Sequence, residues 1–205
     1  MRNALLTGAF LAMLGASAQL AAAQSHAHSA SASASAPTAL PTPTPALAPI
    51  SAPILGLDAK PIGTITLRQG PSGVLIDLEF AAGALSPGWH GMHFHQIGTC
   101  ADAGFKASGA HVGHADGIQH GLLNPMGPEA GDLPNLFVPD AGPVRAQAFT
   151  GLTRLHAAPG APAALLDADG AAFVVHASAD DQLSQPIGGA GARLACAAFL
   201  ASPVN

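Results

Sequence analysis

The 205-residue sequence has no tyrosine, one tryptophan and only 9% charged residues. It has no cluster of basic side chains, and its formal net charge is −5 with histidine neutral. No nucleic acid partner is expected, because such binding draws on concentrated positive charge. Long apolar runs are equally scarce. The one candidate lies at the N-terminus, where Arg2 precedes an apolar run from Ala4 and small residues close it at Ala21, Ala22 and Ala23. This is the charged start, apolar middle and small-residue cleavage site of a secretory signal peptide, assigned to residues 1–23. The run is short for a span and lacks a basic flank behind it, so no membrane anchor is expected after signal cleavage. No cysteine stands near the cleavage point, which argues against a bacterial lipid anchor.

Cysteine is also scarce: Cys100 and Cys196 are the only two. In an exported chain a disulfide is the default expectation, with two unpaired thiols as the alternative. Glycine and proline, by contrast, are plentiful. Residues 24–53 read as an Ala/Ser- then Pro/Thr-rich disordered linker without the apolar side chains for a core. Residues 54–205 fit one domain. Within it, short strand-like runs alternate with turns: I-G-T-I-T-L, V-L-I-D-L-E-F, W-H-G-M-H-F-H-Q-I, V-R-A-Q-A-F, A-A-F-V-V-H and R-L-A-C-A-A-F-L. Regular short strands with Gly/Pro turns predict an all-β sandwich or barrel. Residues 98–134 lack periodicity, and loops of that length are often functional.

Eight of the ten histidines fall in this domain, and their spacing is the main chemical signal. His93 and His95 are two apart on a predicted strand and so share a face. His111 and His120 lie in the long loop, followed by Glu129 and Asp132, and His176 ends a later strand. Four histidines without thiolates favour copper, and a His/carboxylate cluster beside them favours zinc. His90 has the opposite strand parity to His93 and His95 and reads as structural; His156 reads as a solvated loop residue.

The segments H-G-M-H-F-H at 90–95, T-C-A-D-A-G-F-K-A-S-G-A-H at 99–111, Q-H-G-L-L-N-P at 119–125, A-G-D-L-P-N-L at 130–136 and H-A-S-A-D-D-Q-L-S-Q-P-I-G-G-A-G-A-R-L-A-C at 176–196 together resemble the bacterial exported copper/zinc superoxide dismutases, over roughly residues 60–200. The resemblance implies a Greek-key β-barrel of about eight strands with a long metal-binding loop and an electrostatic loop. It implies copper on His93, His95, His111 and His176. Zinc would take His111 as a shared imidazolate, with His120 and Asp132. Asp180 would link a copper histidine to a zinc histidine, Arg193 would attract the superoxide anion, and Cys100 would pair with Cys196. Catalysis would cycle copper between two oxidation states, with Arg193 and His111 as catalytic residues and His111 carrying a proton. Lys106 would add attraction at the channel rim, although it reads more simply as a solvated loop lysine.

The sequence departs from the family at zinc. Glu129 stands where the family's third zinc histidine belongs, three residues before Asp132. The loop between His111 and His120 is one residue longer than the family's spacing and carries an extra His114. Glu129 is expected to ligate zinc, with His114 as a possible substitute ligand and a copper-only enzyme as the alternative. A non-catalytic copper-binding or delivery domain of the same fold, and a secreted structural β-domain, are the other readings. The protein is expected to be periplasmic or secreted, as a monomer or homodimer. If cleavage follows Ala23, Gln24-Ser25-His26 would begin the mature chain as a Cu(II)-suited terminus, with a passive linker as the simpler reading.

Overall fold

In V-L-I-D-L-E-F the alternation of side chains buries Val74, Ile76, Leu78 and Phe80 on one face and turns Leu75, Asp77 and Glu79 outward. The same period buries Ile65 and Leu67 in the preceding strand. The computed structural model describes residues 47–115 and 117–200; the expected signal peptide, most of the linker and the Gln24-Ser25-His26 terminus lie outside them. Described strands are β1 (Ile50–Gly56), β2 (Pro61–Gln69), β3 (Val74–Phe80), β4 (Gly88–His90), β5 (Met92–His95), β6 (Leu136–Val138), β7 (Val144–Thr150), β8 (Thr153–Arg154), β9 (Ala163–Ala164), β10 (Ala171–His176) and β11 (Arg193–Phe199). One 3-10 turn, Lys106–Ser108, is the only helical element among the described residues.

Seven strands form an antiparallel sheet in the order β5-β10-β11-β1-β2-β3-β7. The first strand lies beside the last, and β3 beside β7, the long-range pairing of a Greek key rather than a meander. β4 and β6 make a second, two-stranded antiparallel sheet, and β8 and β9 a short parallel pair. The all-β expectation holds, and the four shortest strands have only two or three residues each. Residues from opposite ends of the main sheet, such as Phe94 and Phe173 near one edge and Val144 at the other, enter a single buried cluster with Leu136 and Val138 of β6.

Two boundaries differ from the sequence expectation. β1 starts at Ile50, inside the stretch read as linker, because Ala52 and Ile54 are buried with the period of a strand and pair with β2. The run from Trp89 to Ile97 is two strands rather than one. The break is Gly91, whose N–H donates to Ser178 O and whose carbonyl accepts from His176 N. A Cβ there would lie 2.9 Å from Ala190 Cβ and 3.1 Å from Asp180 Cβ, so this crossing requires glycine.

β10 is buried on both faces. Ala171, Phe173 and Val175 face the main core, while Ala172 and Val174 pack with Phe105 and Cys196 in a second cluster under the loop that follows β5. The register sets His93 opposite Val174 and His95 opposite Ala172, so both histidines share this second, loop-covered face.

Candidate metal centre

Met92 and Phe94 anchor β5 in the core, and the intervening His93 and His95 therefore turn the other way, at 0% and 1% exposure. The long loop is drawn to them by backbone bonds. Phe94 N donates to Gly131 O, Val112 N to Phe94 O, and Gly131 N to Val112 O. A Cβ on Gly131 would lie 2.2 Å from Phe94 O, so no other residue permits this approach. His111, next to Val112, and Asp132, next to Gly131, thus arrive beside His95 and His93. His176, at the end of β10, completes the cluster from the side.

The ligand atoms of His93, His95, His111 and His176 all lie within 4.8 Å of one another. Among the described residues, four buried histidine ring nitrogens have no hydrogen-bond partner: His93 Nδ1, His95 Nε2, His111 Nε2 and His176 Nε2. Each ring's other nitrogen is engaged. His93 Nε2 meets Asp180 Oδ2 at 2.7 Å, His95 Nδ1 meets Gly109 O at 2.9 Å, His111 Nδ1 meets Glu129 Oε2 at 2.7 Å, and His176 Nδ1 meets Gly191 O at 3.0 Å. Leaving four buried polar atoms unpaired is costly, whereas four oriented imidazoles with their far nitrogens held are a fitting donor set for a metal.

A second set lies across His111. His120 Nδ1 is 2.7 Å from Asp132 Oδ1, and His111 Nδ1 is 3.2 Å from the same oxygen. Geometry alone also admits His93 to this group, giving His93, His111, His120 and Asp132 within 4.8 Å. We assign His93 to the first set, because its Nε2 is taken by Asp180 and its Nδ1 is the unpartnered atom. Glu129 is outside that close foursome but meets His111 through Oε2, and its side chain is only 3% exposed. His114 meets the other oxygen of Glu129 and is itself 57% exposed.

Asp180 spans both sets, with Oδ2 on His93 and Oδ1 3.1 Å from His120 Nε2. It is held by a reciprocal pair with Asn135, whose amide donates to Asp180 O while its oxygen accepts from Asp180 N. Gln185 grips the His120 backbone in the same way. Neither Asn135 nor Gln185 has a spacing that marks it in the sequence. Arg193 donates to Phe105 O, Ser108 Oγ and Gly109 O, and Gly109 O also receives His95 Nδ1, which places the guanidinium beside the first set. Asp102 caps the 3-10 turn by accepting from Lys106 N and Ala107 N. Arg193 and Lys106 line the same cavity of about 500 Å3 with Gly104, Gly191 and Ala192. His90 is buried and meets Ser86 O and His176 O, a structural tie, although the strand break at Gly91 removes the parity that suggested it; His156 is exposed. Cys100 and Cys196 form the disulfide.

The two sets differ electrostatically. Burial pulls His93 down to about 4 and His176 down to about 3, and burial followed by repulsion from His111 holds His95 well below its ordinary value. Burial also opposes a charge on His120, but hydrogen bonds to Asp132 and Asp180 prevail and raise it to about 10. His111 is raised in the same way, with Asp132 and Glu129 outweighing burial. Despite burial, these imidazoles hold Glu129, Asp132 and Asp180 below the usual carboxylate range. His93, His95 and His176 bind protons more readily when unfolded, so stability falls as pH drops from 6.5 towards about 3. Loss of the three carboxylates acts in the same direction. The contributions of His111 and His120 are already complete below 6.5 and do not oppose it. Urea midpoints of the metal-free chain are expected to fall across this window; constant midpoints would contradict the assignment.

A family model described as copper/zinc superoxide dismutase (SODC) matches residues 61–199. A superoxide dismutase [Cu-Zn] of Caulobacter vibrioides is 50% identical over 139 residues, covering 68% of this chain and 78% of that protein. Among solved structures, a double mutant of a SOD-like protein from Bacillus subtilis matches with a TM-score of 0.67 and 35% identity, over 73% of this chain and 96% of its own. The Cu/Zn superoxide dismutase from Brucella abortus matches with a TM-score of 0.57 and 25% identity, over 74% and 99%.

Proposed function

The chain belongs to the copper/zinc superoxide dismutase family, and on that premise we propose how its own residues divide the work. Copper would be held by His93, His95, His111 and His176, and zinc by His111, His120, Asp132 and Glu129. The observation that carries this reading is the set of four buried, unpartnered ring nitrogens beside the Arg193 guanidinium. Copper, when bound, supplies the one-electron couple by which one superoxide is oxidised to oxygen and a second reduced to peroxide with two protons. Arg193 gives the anion a fixed positive partner with its donors pre-aimed by three acceptors. Lys106 adds charge at the rim of the same opening. His111, the residue common to both ligand sets, is the proton carrier, since its Nε2 is buried and free of protein partners. The complete histidine set and Arg193 favour catalysis over copper delivery alone.

Glu129 as the fourth zinc donor rests on its buried carboxylate at His111 and on zinc's tolerance of carboxylate oxygen. Metal analysis of the purified protein, with superoxide assays before and after zinc addition, tests the whole reading. One zinc per chain and a Glu129→Gln variant with weaker zinc binding are expected; Glu129→His is expected to tighten it. Full activity with copper alone, and zinc binding indifferent to both changes, would select the copper-only reading. Asp180→Asn leaves only one oxygen to serve two imidazoles, and is expected to weaken metal affinity by about 10–100-fold in chelator competition; unchanged affinity would remove Asp180 from this role. Export is supported by the formed disulfide, which suits an oxidising compartment.

A further inference from the structure

The carboxylate of Glu129 faces two ways. Oε2 meets His111 Nδ1 inside the zinc set, whereas Oε1 meets His114 Nδ1 at the surface. The two partners differ sharply in access: the His111 side chain is 3% exposed and that of His114 57%. Glu129 itself is buried, so His114 is the solvent-facing end of a chain of donors that runs His114, Glu129, His111.

The local backbone holds His114 in this position. His114 N donates to His111 O, closing a tight turn at the start of the lengthened loop. Gly113 within it has φ of +77°, and a Cβ there would sit 2.7 Å from Ala130 Cβ, next to Glu129. The turn therefore packs against the residue that follows Glu129, and a side chain at 113 would push His114 away from its partner.

Resting on Glu129 as a zinc ligand, we propose that His114 and Glu129 form a surface loading port for zinc. The ion first binds His114 and Glu129 Oε1, with water completing its coordination. It then passes inward as Glu129 retains it through Oε2 and His111, His120 and Asp132 replace His114 and the waters. No covalent or redox step is involved; each move exchanges one oxygen or nitrogen donor for another on the same Zn2+. Glu129 thus replaces the family's histidine with a group whose two donor atoms share one carbon and are both free of protons when ionised. A neutral imidazole bound through one nitrogen carries a proton on the other, whereas an ionised carboxylate can give the ion one oxygen inside and one outside. His114 would be present for the rate of filling rather than for the filled state.

A port lowers the barrier in both directions without changing the end states, so its removal must slow entry and exit alike. Zinc uptake by the metal-free full chain is followed by stopped flow from a chromogenic zinc chelator, and release by transfer to excess chelator. His114→Ala is expected to slow both rates, each roughly tenfold, the low end of what an attractive surface site adds to association, and to leave their ratio and the equilibrium affinity unchanged. His114 is exposed, so this variant is not expected to disturb folding; the far-ultraviolet spectrum and urea midpoint check that. Unchanged uptake in His114→Ala overturns the port even if Glu129 remains a ligand. Weaker affinity with faster release and unaltered uptake also overturns it, because His114 would then be a resident ligand. Glu129→Gln separates the two readings: if it leaves zinc affinity intact, the ligand assignment beneath the port is what fails.

Discussion

Arg193→Ala is expected to lower kcat/KM for superoxide by about 10–1000-fold at low ionic strength, the range over which a focused charge changes the capture of a small ion. The cause is local. The guanidinium is half-buried, its pKa is drawn below the ordinary value by burial, and three acceptors fix its fork. A charge so held needs no reorganisation when the anion arrives. Removing it leaves Lys106, an exposed and flexible ammonium, as the remaining cation on that cavity. Arg193→Lys is expected to recover part of the rate, since charge returns without the planar fork. Stopped-flow decay of superoxide at two salt concentrations makes the measurement. The wild type is expected to slow with added salt more steeply than Arg193→Ala. If the alanine variant keeps both the wild-type rate and its salt slope, the anion is not captured by this residue.

The second large effect is on stability. Cys100 and Cys196 are 96 residues apart, and closing a loop of that size removes much of the unfolded chain's freedom. In the chain-entropy account the bridge is worth about 4–5 kcal/mol. A Cys100→Ala, Cys196→Ala double variant is expected to lose stability of that order in urea unfolding, alanine being used to avoid burying a new hydroxyl. Its effect reaches the site as well. The bridge pins the segment carrying Phe105, Ser108 and Gly109, which supply the acceptors for Arg193, to β11, where Arg193 itself begins the strand. Activity of the double variant is therefore expected to fall and to show the flattened salt dependence of Arg193→Ala. A stability loss below about 1 kcal/mol would mean that packing of Phe105 with Ala172 and Val174, rather than the covalent link, holds the loop.

The sequence was most legible where chemistry and period coincide. His93 and His95 announce a shared face because a strand alternates, and the V-L-I-D-L-E-F run shows its buried side for the same reason. Ile50–Pro53 was hidden by composition. Proline and alanine lower the strand signal, and the burial of Ala52 becomes evident only once β2 is beside it. The strand break at Gly91 was hidden because it depends on Asp180 and Ala190, about ninety and a hundred residues further on. Asn135, Gln185 and Ser108 were invisible for a related reason. Each acts through a backbone or hydroxyl contact open to any polar residue in a loop, and only the folded chain shows which one is met. Glu129 was conspicuous as a departure, but its two-sided carboxylate emerges only when the loop brings His111 and His114 to it.

The loop between β5 and β6 has almost no regular structure, yet its backbone is stitched to β5 through Phe94, Val112 and Gly131. It therefore opens only when the sheet edge does. In a hydrogen-exchange experiment the amides of Val112 and Gly131 should report the same opening free energy as Phe94 of the core strand, and not the fast exchange of a surface segment. Mechanically, what reads in the sequence as a long aperiodic loop is an added layer of the barrel wall.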